Sequence, residues 1–577
     1  YTDDNGDLKA DKKTRIIQLD TKGDYPHDGL AGFAFDAMGW MYFGFGENLG
    51  ADYKVIGSDG VTLSGGAEGG NIYRCRPDGS KLKQWATGFW NPHASCVDAF
   101  GRLFTVDNDP DSRPPCRLLH IIEGGDYGFR FRNGRKGLHP FTAWNGEIPG
   151  TLPMVSGTGE APSGIVAYES DGFPKDYIGN LLVGSWGDHR IDRFRLKPKG
   201  ASFESVAEPI IQGGANFRPV GLAVAPDGSL FCTDWVQRDY KVHGQGRIWR
   251  VSMKEEPKRK VIDAATVNAT MSFKQLEKHW ASPRIEVRRL AAKTITFKHR
   301  KGGTEWLNLL DWKFEKRRDL KEPRQFQEWL TSWRSPQFLP ELQDDVDQPE
   351  VTPFHVEIWR QRIQKSDDDP FQLIQTMNEL SIEGASLKTL VAEFRNATPS
   401  KKIKIPPDTQ VRQLRLACLL IARRQHPKSL EIPKLALQVN DVSLRRLAVQ
   451  WIAEEQLSKL RPQVKAIFED KNLTTDLFLA TLAALEMLDG KSPKDFDKTP
   501  AGKYVLPLLK DAKRPAAVRR QALRLVAPAD SALDETLFAN LLADDDKKLQ
   551  LEAVRTLQHA IQPFAGGLLR GIATDAK

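Results

Sequence analysis

The sequence predicts a multi-domain protein: an all-β propeller, partial or of six-bladed type, over residues 1–252, a linker over 253–262, and an all-α HEAT-like solenoid over 263–577. Three observations lead there. The chain has 577 residues, whereas a domain runs to about 100–200. Most of its 46 glycines fall before about residue 250. The apolar pattern then changes from short runs between Gly, Asn and Asp turns to a helical period.

Over the glycine-rich region a single phrase recurs, Asp-x-x-Gly followed by an apolar strand. It stands at Asp36 to Gly39 before Trp40-Met41-Tyr42-Phe43-Gly44, at Asp98 to Gly101 before Leu103-Phe104-Thr105-Val106, and, shortened to Asp227-Gly228, before Leu230-Phe231-Cys232-Thr233. A looser copy is Tyr177-Ile178-Gly179-Asn180 before Leu181-Leu182-Val183. Asp and Gly supply the conformations of tight hairpin turns. Intervals of 62 and 49 residues suit propeller blades carrying inserted loops. About 250 residues make four or five blades, so a six-bladed ring needs further sequence on the N-terminal side; the start at Tyr1 also points to a processed or truncated piece.

The stretch Met253-Lys254-Glu255-Glu256-Pro257-Lys258-Arg259-Lys260 reads as the linker. Beyond it a helical phrase repeats at Val287-Arg288-Arg289-Leu290-Ala291, Val411-Arg412-Gln413-Leu414, Leu444-Arg445-Arg446-Leu447-Ala448, Val518-Arg519-Arg520-Gln521-Ala522 and Leu549-Gln550-Leu551-Glu552-Ala553. Apolar positions at i, i+3 and i+7 share one face, and the arginines are expected to reach carboxylates or carbonyls next door. Asp408, Asp441, Pro515 and Asp546 just before the phrases are expected to start the helices. Intervals of 33, 74 and 31 residues fit helix-pair repeats. Between about 300 and 400, Trp-rich and acidic segments blur the repeat.

The net charge of +8 is the difference between 83 basic and 75 acidic residues dispersed over the chain, with no basic stripe, so nucleic acid is not an expected partner. No stretch approaches the roughly 18 apolar residues of a membrane helix. The five cysteines form no CxxC or CxxCH pattern, so no haem motif is present; a disulfide among Cys75, Cys96 and Cys116 and buried free thiols are both open. No histidine pair has His-x-x-x-His spacing, and protein-bound zinc is not expected.

The segment Tyr25-Pro26-His27-Asp28-Gly29-Leu30 through Tyr42-Phe43-Gly44 resembles the His-x-Gly-x-Leu stretch of the soluble quinoprotein glucose/sorbosone dehydrogenases. Gly88-Phe89-Trp90-Asn91-Pro92, Gly124-Gly125-Asp126-Tyr127-Gly128, Ala161-Pro162-Ser163-Gly164-Ile165, Phe217-Arg218-Pro219-Val220-Gly221 and Gly246-Arg247-Ile248-Trp249-Arg250-Val251 continue the resemblance in order over residues 25–251. With the helical repeats, the chain is similar to bacterial "membrane-bound dehydrogenase" proteins, which often end in a c-type cytochrome domain.

The resemblance implies a six-bladed propeller that holds pyrroloquinoline quinone (PQQ) over calcium and oxidises a sugar or related alcohol, in a periplasmic or secreted location. It places His27 as the catalytic base, a role an imidazole suits. Arg218, Trp90 and Asn91 fall at cofactor-binding positions, and Asn108, Asp109 and Pro110 at the calcium loop, where oxygen ligands suit a hard cation. Trp90 departs from the pattern, for that slot holds a cofactor-binding arginine in the family; an indole could instead stack on a planar ring. The expected partners are a sugar or glycan, a cytochrome c acceptor, and a protein docked on the helical repeats. A non-catalytic propeller that binds glycan or protein, with the repeats as scaffold, is the alternative.

Overall fold

The computed structural model describes residues 1–25, 29–110, 112–239, 241–254, 266–268, 270–280, 282–301, 353–379, 384–491 and 502–575. It divides into two compact units. The first comprises Tyr1–Phe131, Trp144–Glu147 and Thr151–Pro349, and the second Arg132–Ala143, Ile148–Gly150 and Glu350–Lys577.

In the first unit four consecutive sheets stand where the sequence reading put four or five blades. The first contains β2 (Leu30–Phe35), β3 (Met41–Phe45), β6 (Gly70–Cys75) and β7 (Lys83–Phe89), with β11 (Gly125–Asp126) added in parallel on β7. Within the connection from β3 to β6, β4 (Tyr53–Gly57) and β5 (Thr62–Gly65) form a smaller sheet with β1 (Ile17–Thr21). The second large sheet has β8 (Asn91–Val97), β9 (Leu103–Asn108), β10 (Arg117–Ile121) and β12 (Ser156–Gly157). The third has β13 (Pro162–Ala167), β14 (Leu181–Ser185), β15 (Arg190–Phe194) and β18 (Ala207–Gln212), with the hairpin of β16 (Lys197–Lys199) and β17 (Ser202–Glu204) between its last two strands in the chain. The fourth has β19 (Pro219–Val224), β20 (Leu230–Asp234) and β21 (Arg247–Val251). The leading strands of successive large sheets pack side by side, β2 on β8, β8 on β13 and β13 on β19.

The three Asp-Gly copies of the recurring phrase close the same backbone turn, with the Gly39, Gly101 and Gly228 amides donating to the carbonyls of Asp36, Asp98 and Ala225. Asp36 Oδ1 accepts the amides of Met38 and Trp40, and Asp98 Oδ1 those of Phe100 and Arg102, all at 2.9 Å. Asp227 Oδ1 accepts the Ser229 amide at 2.9 Å. The closing glycines Gly39, Gly101 and Gly228 have φ of 80°, 78° and 82°, a region that costs other residues. The apolar runs after the turns then meet between the sheets. Cys96, Phe104, Val106 and Leu118 pack with Ile165, Val183 and Phe194, while Tyr168, Leu182 and Ile191 pack with Leu230 and Cys232. Each such side chain contributes about 1.5–3 kcal/mol on full burial. All five cysteines are buried free thiols, which settles the choice left open above.

The helices Phe273–Trp280 and Ile285–Lys301 also belong to this first unit, although the sequence reading assigned them to the helical region beginning at 263. Arg289 donates to the Asp98 carbonyl at 3.1 Å, and Arg288 stands 3.8 Å from the Glu169 carboxylate. Of the expected linker, residues 255–262 lie outside the described residues.

The second unit is helical. Residues 132–143 and 148–150, which lie between β11 and β12 in the chain, belong to it. Asn133 donates to Glu454 at 3.0 Å and Arg446 to the Pro140 carbonyl at 2.6 Å. Asp441 caps helix Val442–Glu454 by accepting the Leu444 amide, and Asp546 caps Lys547–Gln558 by accepting that of Leu549. Pro515 stands at the N-cap of Ala516–Arg524. Asp408, by contrast, falls in the first turn of Pro407–Gln425, behind an N-cap at Pro406. The phrase arginines reach neighbouring elements, Arg445 to Asp470 and Arg519 to Asp544, both at 2.6 Å, and Arg412 to Asp368. Among the described residues no helix is long and apolar enough to cross a membrane.

Candidate functional site

The candidate residues gather at one end of the sheets, because antiparallel pairing brings the start of one strand beside the finish of the next. Asn91 opens β8 and pairs with Asn108 at the end of β9, while Asp107 pairs with Arg117 at the start of β10. Glu160 precedes β13, Trp186 follows β14, and Arg218 precedes β19.

Asp107 and Arg117 anchor this end. Both side chains are fully buried, with Arg117 Nη2 2.5 Å from Asp107 Oδ2. The other carboxylate oxygen accepts the amides of Asn91 at 2.7 Å and Trp90 at 3.1 Å. Arg117 also donates to the carbonyls of Trp144 at 2.7 Å, Tyr127 at 2.8 Å and Gly88 at 3.3 Å, and its guanidinium lies over the Trp144 ring. A buried ion pair holds only where such further bonds satisfy it. The pair therefore fixes the backbone of the Gly88 to Asn91 segment.

Within that segment the Trp90 side chain is 4 % exposed. Its ring meets Phe129 at 5.2 Å and Tyr25 at 6.1 Å, both edge-on, in a cluster with Trp144. The indole is thus part of an aromatic core. Asn91 is also buried.

Asn108, Asp109 and Pro110 lie together at the end of β9, with Asp109 and Pro110 buried. Across the strand pair, the Cys116 Sγ stands 3.6 Å from Asp109 Oδ1, 3.7 Å from Asn108 Oδ1 and 3.8 Å from Glu160 Oε2. Burial, then the Glu160 carboxylate, pushes the Cys116 thiol pKa up. Among the described residues Asp109, Cys116 and Glu160 form the one set of three side chains placed to share a metal ion.

Arg218 lies at the same end, one sheet on. It is 7 % exposed, with its guanidinium over the Trp186 ring at 4.4 Å and Nη1 donating to the Trp186 carbonyl at 3.2 Å. Its Nε has no hydrogen-bond partner, and among the described residues it makes no ion pair. Burial, and next the charge of Arg238, push its pKa down. The Asp234 charge acts in the opposite direction, while its carboxylate accepts the amides of Arg218 and Val236 and the indole N–H of Trp249. The loop between β14 and β15 connects Arg218 to the sulfur cluster, since the Gly187 amide and Ser185 hydroxyl bond to the Glu160 carbonyl.

His27 lies outside the described residues. The sequence reading missed Asp107, Arg117, Cys116, Glu160 and Arg238. Only Asp107 carried a local signal, as the residue of the β9 run immediately before Asn108.

Comparison with known proteins adds little to this geometry. Residues 1–255, less than half of the chain, match a family described as a domain of unknown function (DUF7133). No curated protein matches. Among solved structures, the chain is similar to a Thermus thermophilus protein provisionally described as an oxidoreductase (glucose dehydrogenase), at 18% identity over 39% of this chain and 84% of that one, with a TM-score of 0.28. The PQQ-bound aldose sugar dehydrogenase of Streptomyces coelicolor overlaps at 18% identity over 40% and 82%, TM-score 0.26. The PQQ domain of Coprinopsis cinerea pyranose dehydrogenase overlaps at 10% identity over 42% and 98%, TM-score 0.20. At such scores these likenesses carry no argument about activity.

Proposed function

We propose that the first unit is a quinoprotein-type oxidoreductase acting on a sugar or related alcohol, with Arg218 holding an anionic cofactor. The observation that carries this reading is Arg218 itself. A guanidinium removed from water is costly unless an anion meets it, and this one has an unbonded Nε and no ion pair among the described residues, with the cation Arg238 acting on it more strongly than the acid Asp234. A carboxylate of PQQ is an anion that such a donor can bind. When bound, PQQ would supply the hydride acceptor. Trp186 orients the guanidinium through its ring and carbonyl. His27 is proposed as the base that takes the hydroxyl proton. In this reading the protein is exported, passes electrons to a cytochrome c, and docks a protein partner on its helical unit.

The test adds PQQ and calcium to the purified chain and follows thermal midpoint and dye reduction over a panel of aldoses. At ligand one hundred times its Kd, binding stabilises the protein by about 2.7 kcal/mol. Arg218→Met should abolish that gain, and His27→Ala should remove turnover but not binding. An absence of PQQ stabilisation, or stabilisation undiminished in Arg218→Met, would overturn the reading. One observation favours non-catalytic glycan binding instead: Trp235, whose amide donates to the Arg218 carbonyl, is 38 % exposed and able to stack on a sugar. Sugar-induced stabilisation without PQQ or turnover would establish that alternative.

A further inference from the structure

We propose that Asp109, Cys116 and Glu160, with the Asn108 amide oxygen beside them, bind a divalent cation of the kind that accepts a thiolate, Zn²⁺ above all. The inference stands on the donor geometry and does not require the oxidoreductase reading.

The distances suit a metal centre. In a tetrahedral site with metal–sulfur and metal–oxygen bonds of about 2.3 and 2.0 Å, a sulfur and an oxygen ligand stand about 3.5 Å apart. The Cys116 sulfur lies 3.6, 3.7 and 3.8 Å from oxygens of Asp109, Asn108 and Glu160. The three principal donor atoms all fall within 4.8 Å of one another.

Proton count is consistent with the same conclusion. One thiol carries one proton, yet three oxygens converge on this sulfur, two of them from carboxylates. The thiol's own proton can lie in only one of the three contacts. A shared cation makes all three favourable.

The surroundings are built for a fixed site. Asn108 is held in the β8–β9 pairing, and the Cys116 carbonyl accepts the Thr158 amide at 2.8 Å. The Glu160 amide donates to Asp188 at 3.2 Å, while its carbonyl accepts the Ser185 hydroxyl at 2.8 Å and the Gly187 amide at 3.0 Å. Cys116 and Asp109 are buried whereas Glu160 is exposed, so the cluster has a dry wall and a side open to entry.

The donor set also selects the ion. Calcium takes six to eight oxygens, and a thiolate is a poor ligand for it, whereas zinc accepts sulfur and carboxylate together in a set of four. In this proposal Asn108 and Asp109, which the resemblance assigned to calcium, serve a softer cation together with the Cys116 sulfur. Binding forms a metal–sulfur bond in place of the S–H bond and releases that proton to water.

The test strips the full chain with a chelator and titrates it with Co²⁺ alone. The expected result is one ion per chain, with the near-ultraviolet thiolate-to-cobalt charge-transfer band and the intense visible bands of a four-coordinate site, bleached by Zn²⁺ and not by excess Ca²⁺. Cys116→Ser should lose the charge-transfer band, and Cys96→Ser, at a buried thiol elsewhere, should keep it. Glu160→Gln, at an exposed position that folding tolerates, should weaken Co²⁺ binding by at least about tenfold. The proposal is overturned by the absence of a charge-transfer band at saturating Co²⁺, by a band that survives Cys116→Ser, by unchanged affinity in Glu160→Gln, or by displacement with Ca²⁺.

Discussion

Replacing Arg117 with methionine tests the anchor beneath the candidate site. The introduced side chain would retain much of the apolar stem but remove the guanidinium that lies over Trp144, pairs with Asp107 and donates to the Gly88, Tyr127 and Trp144 carbonyls. Asp107 would remain fully buried without its cation, a change worth about 3–5 kcal/mol. The three carbonyls would lose a donor as well, at about 1 kcal/mol each if none found water. These costs overlap, so we expect a loss of at least about 3 kcal/mol. At about 2.1 cal/mol/K of unfolding entropy per residue, a unit that runs to Pro349 moves its midpoint by about 1.5 °C per kcal/mol, which gives a fall of roughly 4–8 °C. Near-ultraviolet circular dichroism reports it, because Trp90 and Trp144 lie in the aromatic cluster beside the pair. In the double variant Arg117→Met with Asp107→Asn, the carboxamide oxygen still accepts the Trp90 and Asn91 amides without a buried charge, so much of the loss should return. A single-variant loss below about 1 kcal/mol, or no recovery in the double variant, would refute the assignment of this pair as the anchor.

Three further outcomes follow from the geometry. Burial, and then Arg102, push the His120 pKa down from 6.5 to about 4. The folded state therefore holds His120 neutral, and its contribution, about 3 kcal/mol, is complete above pH 6.5 and lost as the pH falls towards 4; His120→Gln should flatten the stability profile in that window, and an unchanged slope would refute this. Asp441→Ala removes the side-chain acceptor for the Leu444 amide, with an expected cost of about 1 kcal/mol to the helical unit by urea denaturation. Gly88→Ala should be markedly destabilising by thermal melting, since φ is +89° and a Cβ there would lie 2.4 Å from the Gly128 nitrogen; a midpoint equal to the parent's would show that this turn relaxes freely.

What could be read from the sequence was what is decided within a few residues. The Asp-x-x-Gly turns at 36–39 and 98–101 close through bonds from a carboxylate to amides two and four positions on, and the Asp441 and Asp546 caps reach three. Strand and helix periodicity belongs to the same short range, so the change from sheets to helices was visible in residue order. Tertiary structure decided the rest. Strand register set Arg117 opposite Asp107, and the meeting of three chain segments put Cys116 between Asp109 and Glu160, 44 residues further on. Packing, too, enclosed Trp90 among aromatic rings, buried the Arg218 guanidinium against Trp186 rather than against an acid, and took residues 132–143 into the helical unit. The physical reason is one of range: a turn or cap satisfies its polar groups from its own neighbours, whereas a buried charge or a metal-ready sulfur acquires its surroundings only when distant strands close around it.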